Sequence, residues 1–274
     1  MPPPPRRITK PDGQPTRGKT GRNRLRQIDN LIALYDPGLI RREDGQYRGA
    51  FFVDLGYGWE PVTTLESANR LRRLNPTLCV LGVEIDPERV AAAAPSADER
   101  TCFRLGGFNL PLSDGEHARL VRAFNVLRQY DESAVEAALK TMGGYLLPGG
   151  LLIEGTSDPS GRVWVANLLR RSASGELLAE ALVFGTNFRA GFEPGQFQPV
   201  LPKKYIHRMI PGQSIYQFVS AWKRAYYESI PTSVWGPRYL FATCARRLAE
   251  TGYQVDLSRR LLGRGFLIWR HPEG

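Results

Sequence analysis

A chain of 274 residues, 42% hydrophobic and 23% charged, is long enough for one large domain with a substantial core, and its composition argues against wholesale disorder. No apolar run approaches the roughly 18 residues of a membrane span, and no apolar stretch follows the basic start. The net charge of +10 is uneven: residues 1–26 carry eight Lys/Arg and one acid, residues 27–161 thirteen and nineteen, and residues 162–247 twelve and four.

Residues 1–22 are rich in Pro, Arg, Gly and Thr with almost no large apolar side chains, so they are expected to lack fixed structure when free. Residues 23–35 space Leu25, Ile28, Leu31, Ile32 and Leu34 as the apolar face of a helix. Residues 51–55 predict a short buried strand ending at Gly56. Pro61 then fits the first turn of a helix reaching Leu74, where Asn75-Pro76 stops it. A second strand is expected over 78–84, then a helix through Val90, with further strands over 101–105 and 120–126. Asp131 is a good N-cap for a helix whose Val135, Ala138, Leu139 and Met142 share one face. Leu147-Pro148-Gly149-Gly150 reads as a turn before a fifth strand over 151–154. Beyond it, 163–169 and 182–188 look like a strand pair. Ser214 caps a helix bearing Ile215, Phe218, Val219, Trp222 and Tyr226, another helix spans about 238–250, and 265–269 is a final strand.

Alternating strands and helices predict an α/β fold: a mainly parallel sheet with helices on both faces and a C-terminal helical and strand elaboration. Its expected divisions are a tail over 1–22, a ligand-binding core over 23–161, and a part over 162–274 that completes the sheet and shapes an acceptor site. On such sheets ligands sit at the carboxyl ends of the strands, near the point where strand order reverses.

The strongest motif is Val53-Asp54-Leu55-Gly56-Tyr57-Gly58, directly after a strand. Its glycines permit a sharp turn and close approach of a ligand to the backbone. A dinucleotide fingerprint would place a third glycine at position 61, where this chain has Pro61. Asp54 would repel a diphosphate and attract an amine or a sulfonium. Thirty residues later, Glu84 in Leu81-Gly82-Val83-Glu84-Ile85-Asp86 ends a strand, where a carboxylate accepts both hydroxyls of a ribose. Asp86 is the better helix cap.

With Tyr145 to Ile153 before the fifth strand, these motifs resemble those of the class I S-adenosylmethionine-dependent methyltransferases, and more narrowly bacterial members without an assigned substrate. The resemblance covers roughly residues 50–156 and implies a Rossmann-like fold with S-adenosylmethionine as cofactor. It places Asp54, Gly56, Tyr57 and Gly58 at the methionine end, Glu84 and Ile85 at the ribose, and Gly107 and Phe108 at the adenine. Asn125, Arg128 and Tyr130 would line the methyl-transfer site, Asn125 on the cofactor and the other two on the substrate. Two departures stand out: Glu60 replaces the third glycine of the first motif, and Gly107 stands where an acid often precedes the adenine loop.

Methyl transfer from a sulfonium needs in-line positioning and, for some acceptors, a proton acceptor. His207, in a polar segment interrupted by Pro and Gly, is the candidate base among three histidines. Asn125-Val126-Leu127-Arg128 lacks the pattern that resembles methylation of exocyclic base amines. The expected activity is methyl transfer to a small or medium-sized acceptor. The alternatives are an RNA or ribonucleoprotein methyltransferase whose residues 1–26 contact nucleic acid weakly, and a non-catalytic cofactor-binding interaction protein; a nicotinamide oxidoreductase is disfavoured by Asp54 and Pro61. Cys79, Cys102 and Cys244 lack metal-ligand spacing, so reduced thiols, no metal, no membrane contact and a cytoplasmic location are expected.

Overall fold

The computed structural model describes residues 10–16 and 21–270. In chain order the elements are α1 (Arg26–Tyr35), α2 (Pro37–Arg41), β1 (Phe51–Leu55), α3 (Val62–Leu71), β2 (Val80–Glu84), α4 (Pro87–Ala93), β3 (Thr101–Leu105), β4 (Ala118–Phe124), α5 (Glu132–Gly143) and β5 (Leu146–Ser157). There follow β6 (Val163–Arg171), β7 (Leu177–Thr186), α6 (Lys203–Ile206), α7 (Ser214–Ser229), α8 (Pro237–Glu250), α9 (Arg259–Leu262) and β8 (Phe266–Trp269). All eight strands join one sheet in the order β3-β2-β1-β4-β5-β6-β7-β8.

The sheet has two halves. From β3 to β5 every pairing is parallel, and from β5 to β8 every pairing is antiparallel. Strands β2 and β4 are buried along their whole length, as parallel strands covered on both faces must be. The antiparallel half is reached by tight hairpins. Asp158 accepts from the backbone of Arg162 in the β5–β6 turn, and Gly175 takes φ +92° in the β6–β7 turn. This is the Rossmann-like α/β arrangement with an antiparallel extension.

Alternate residues of each strand face opposite sides. On one side Phe52, Leu120, Ile153 and Trp164 pack with Leu31 and Ile32 of α1 and Ala68 and Leu71 of α3. On the other, Val53, Val121 and Leu152 pack with Val135, Ala138 and Met142 of α5. Over the antiparallel half, Val165, Phe184 and Trp269 meet Phe218 and Trp222 of α7 and Phe241 of α8. The Phe218 and Trp269 rings stack at 4.1 Å. The aromatic face of α7 is therefore core. Helices α7 and α8 cover a sheet face.

Most expected elements lie within a few residues of their observed ends. The segment 147–150 differs: it lies inside β5, whose pairing with β4 slips between Ala118 and Leu120, with Gly149 at φ +82°. The Pro-Gly-Gly signal marks an irregularity within a strand, not its start. Strand β4 begins two residues earlier than expected. Asp131 occupies the N-cap of α5 but makes no side-chain cap bond, and Gln213, not Ser214, is the N-cap of α7. Within the tail assigned to 1–22, residues 1–9 and 17–20 lie outside the described residues, while 10–16 follow a defined path along the sheet edge.

Two buried polar groups shape the interior. Arg119 donates to the carbonyls of Leu39, Ile40, Arg42, Tyr47 and Ala50, closing the segment after α2 onto β4. Glu154, 1% exposed, lies opposite Asn167 on β6 and accepts from its Nδ2 at 2.8 Å. Desolvation pushes the Glu154 carboxyl up from 4.5 to about 7, with the Asn167 bond opposing it. The folded state then binds a proton that the unfolded chain has released, so this group lowers stability as pH rises from about 4.5 to about 7. Glu154→Gln should abolish that loss. Urea titrations at pH 5 and pH 8 should show the variant gaining on the wild type by on the order of 3 kcal/mol at the higher pH; equal pH slopes would refute the protonated carboxyl.

Candidate functional site

The order β3-β2-β1-β4-β5 reverses direction at β1, so a crevice opens between the segments leaving β1 and β4. A cleft lies there. Its walls are Leu55 and Gly56 at the end of β1, Glu84 and Ile85 at the end of β2, Gly106 to Phe108 after β3, and Val126 and Tyr130 after β4. Asp12, Gly13, Gln14 and Thr16 complete the lining from the N-terminal side.

Local geometry explains the residue types. Gly56 sits at φ +74°, and a Cβ there would lie 2.7 Å from Val126 Cγ2. Glu84 is 1% exposed. Its Oε2 accepts from the Gly58 N–H at 2.9 Å and its Oε1 from the Ile85 N–H at 2.9 Å. One carboxylate thus binds the turn after β1 to the end of β2. Arg89 of α4 approaches it at 3.6 Å. Asp86 caps α4, accepting from the N–H groups of Glu88 and Arg89, as its place before Pro87 suggests. Phe108 is 5% exposed and meets Tyr130 edge to face at 5.2 Å, so its ring forms wall and core together.

Asp54 does not face this cleft. Its carboxylate lies on the α1–α3 side, accepting from Arg122 Nε at 3.0 Å and from the hydroxyls of Thr63 and Thr64 at 3.2 and 2.8 Å. Arg122 also donates to Asp29 of α1 and to Ser67 of α3, and Arg70 reaches the other oxygen of Asp29. Arg122, Asp29 and Asp54 side chains are at most 3% exposed. Two carboxylates and two guanidinium groups compensate one another, so Asp54 is spent internally and does not repel an anion in the cleft.

Of the expected site residues, the structure brings Gly56, Glu84, Ile85, Gly107, Phe108 and Tyr130 to one cleft. Gly58 contributes through its bond to Glu84. Tyr57 is buried against Phe103, and desolvation, with the Glu84 and Asp54 charges, raises its hydroxyl far above the ordinary range. Asn125 takes φ +61° and spends its amide on Ser157, fastening β4 to β5. Arg128 donates to the carbonyl of Pro199. His207 is the exposed C-cap of α6, outside the cleft lining. No residue after Tyr130 lines the cleft among the described residues. Leu55, Gly106 and Val126 line the cleft too; Leu55 lies inside the first motif, and the other two stand beside Gly107 and Asn125. Asp12 to Thr16 carried no signal, because they dock largely through backbone groups.

Among the described residues no helix is long and apolar enough to cross a membrane, and no cluster of His, Cys, Asp and Glu could hold a metal ion. Compared by sequence, the chain matches no family model and no curated protein. Solved structures of similar shape include the CMeT domain of the citrinin polyketide synthase (16% identity, 41% of this chain and 30% of that one, TM-score 0.34). Others are human N-acetylserotonin methyltransferase in complex with SAM (20%, 49% and 38%, TM-score 0.32) and the CcbJ methyltransferase of Streptomyces caelestis (13%, 58% and 71%, TM-score 0.34). This chain spans less than two thirds of the first and second of these. Overlaps this partial identify neither ligand nor substrate.

Removing Asp54 would leave buried Arg122 with one carboxylate, Asp29, which it shares with Arg70. Asp54→Ala is expected to cost on the order of 3–5 kcal/mol in denaturant unfolding. Unchanged stability with weakened ligand binding would instead return Asp54 to the ligand site.

Proposed function

We propose that the protein is an S-adenosylmethionine-dependent methyltransferase acting on a small or medium-sized acceptor. The observation that carries this reading is Glu84: a buried carboxylate at the end of β2, facing a cleft at the reversal of strand order. Each of its oxygens accepts one backbone N–H, which leaves acceptor capacity on both for a vicinal diol. Apart from the strap, the lining includes Glu84, balanced by Arg89 from α4, and no Lys or Arg of its own placed to hold a diphosphate.

The residues present fit that cofactor. Gly56 and Gly107 open the backbone to a ligand, and the Phe108 N–H with the Asn109 side chain offers a donor and acceptor edge suited to a purine. Leu55, Val126 and the Phe108 ring supply apolar walls that exclude water. S-adenosylmethionine supplies an electrophilic methyl group on a sulfonium. The chain's own task is to hold the nucleoside through Glu84 and Phe108 and to leave the methyl-bearing end open for an acceptor near Tyr130. In-line placement of a nucleophilic acceptor provides most of what such a transfer needs. His207 stands apart from the cleft lining, so this reading assigns it no proton transfer.

Calorimetry with S-adenosylmethionine and S-adenosylhomocysteine tests the reading. Glu84→Gln should weaken both by roughly tenfold to a hundredfold, the loss of charge-assisted bonds to the diol. Equal affinity in a variant that unfolds like the wild type would refute the role of Glu84.

A further inference from the structure

The cleft is already partly filled by the chain itself. Residues 10–16 cross the carboxyl edge of the sheet, and their contacts are with the groups assigned above to the nucleoside. The Asp12 carbonyl accepts from the Phe108 N–H at 2.8 Å. The Asp12 N–H donates to Asn109 Oδ1 at 2.7 Å, and Asn109 Nδ2 donates to the Lys10 carbonyl at 3.1 Å. Both ends of the Asn109 amide and the Phe108 N–H are thus engaged by the strap.

The strap lies inside the cleft as well as across it. Gly13, at φ +128°, sits so close that an added Cβ would be 3.1 Å from Tyr130 Oη, 3.4 Å from the Phe108 ring and 3.5 Å from Ile85. A Cβ on Gly107 would lie 1.8 Å from the Asp12 carbonyl oxygen. Further along, the Gln14 N–H donates to the Tyr130 hydroxyl, and Arg89 donates to the Thr16 carbonyl at 3.4 Å. With the strap in place the enclosed space is about 20 Å³, room for about one water and not for a small molecule.

We propose that residues 10–16 are an intramolecular plug that competes with the cofactor for the purine-binding edge, so that cofactor loading requires release of the strap. This rests on the cofactor reading of the cleft. The contacts are suited to reversible release. They are hydrogen bonds at a part-exposed edge, each worth only about 0.5–1.5 kcal/mol, made by a segment with little apolar surface to bury. Tethering supplies the affinity that such contacts lack, since a segment of the same chain docks intramolecularly, at an effective concentration of about millimolar. Gly13 and Gly107 are the positions where this fit requires glycine.

The test uses the full chain with Gly13→Val, which is strained at φ +128° and meets Tyr130, and separately with Gln14→Pro, which removes the N–H given to Tyr130. Hydrogen exchange without ligand reads strap release directly: the Phe108 amide should be protected in the wild type and lose protection in both variants. Calorimetry with S-adenosylhomocysteine should then show tightening of about tenfold, the factor expected if the strap is docked nine-tenths of the time. Unchanged exchange at Phe108 in both variants overturns the docked strap, whatever the ligand. Lost protection with weaker or equal binding overturns competition and makes the segment a lid that aids the cofactor. Lost protection with no binding by the wild type or either variant overturns the cofactor reading, and competition with it.

Discussion

The site end of the parallel half depends on Arg122. A guanidinium in the middle of β4 would be intolerable in an apolar interior without compensation. Asp54 from β1 and Asp29 from α1 neutralise it, Arg70 balances the second charge, and Ser67, Thr63 and Thr64 satisfy the remaining lone pairs. These contacts join α1, α3, β1 and β4 at the level where the chain leaves β1 for the glycine turn. That turn can therefore bend at Gly56 from a fixed origin, and the cleft inherits a rigid floor.

Charge in this half is divided between two jobs. Asp54 is the last residue but one of β1 and Glu84 the last of the neighbouring β2, yet one closes an internal ion network and the other faces a crevice. The difference is one of side. Asp54 points to the face where α1 and α3 bring cations and hydroxyls, whereas Glu84 lies beside the backbone N–H groups of the turn. A carboxylate held by two N–H donors is fixed in orientation and still able to accept. The strap uses the neighbouring edge, at Phe108 and Asn109, and leaves Glu84 to the turn.

Much of the fold was legible because burial imposes periodicity. Strands β1 and β3 match their expected spans, and the apolar face of α5 is the one its spacing indicates. The misreadings share a cause. Pro148 to Gly150 are local turn formers, but pairing with β4 carries the strand through them as an irregularity. The candidate site was legible to a similar degree: Gly56, Glu84 and Phe108 stand beside motif glycines that announce close backbone approach. Asn125 and Arg128 were placed by the resemblance, and His207 by its chemical type in a polar segment. The first two spend their polar groups on other parts of the chain, and the third lies away from the cleft.

The sequence by itself determined the alternation of strands and helices, the glycine turn after β1 and the carboxylate at the end of β2, because apolar period and backbone freedom are local properties. Only the tertiary structure decided which carboxylate faces the crevice, since that depends on Arg122 and Asp29, residues 68 and 25 positions from Asp54. It also decided that a polar, glycine- and proline-rich segment lies in the cleft. Hydrogen bonds from Phe108 and Asn109 to the backbone of Lys10 and Asp12 leave no trace in composition, because every residue except proline carries the same peptide donor and acceptor.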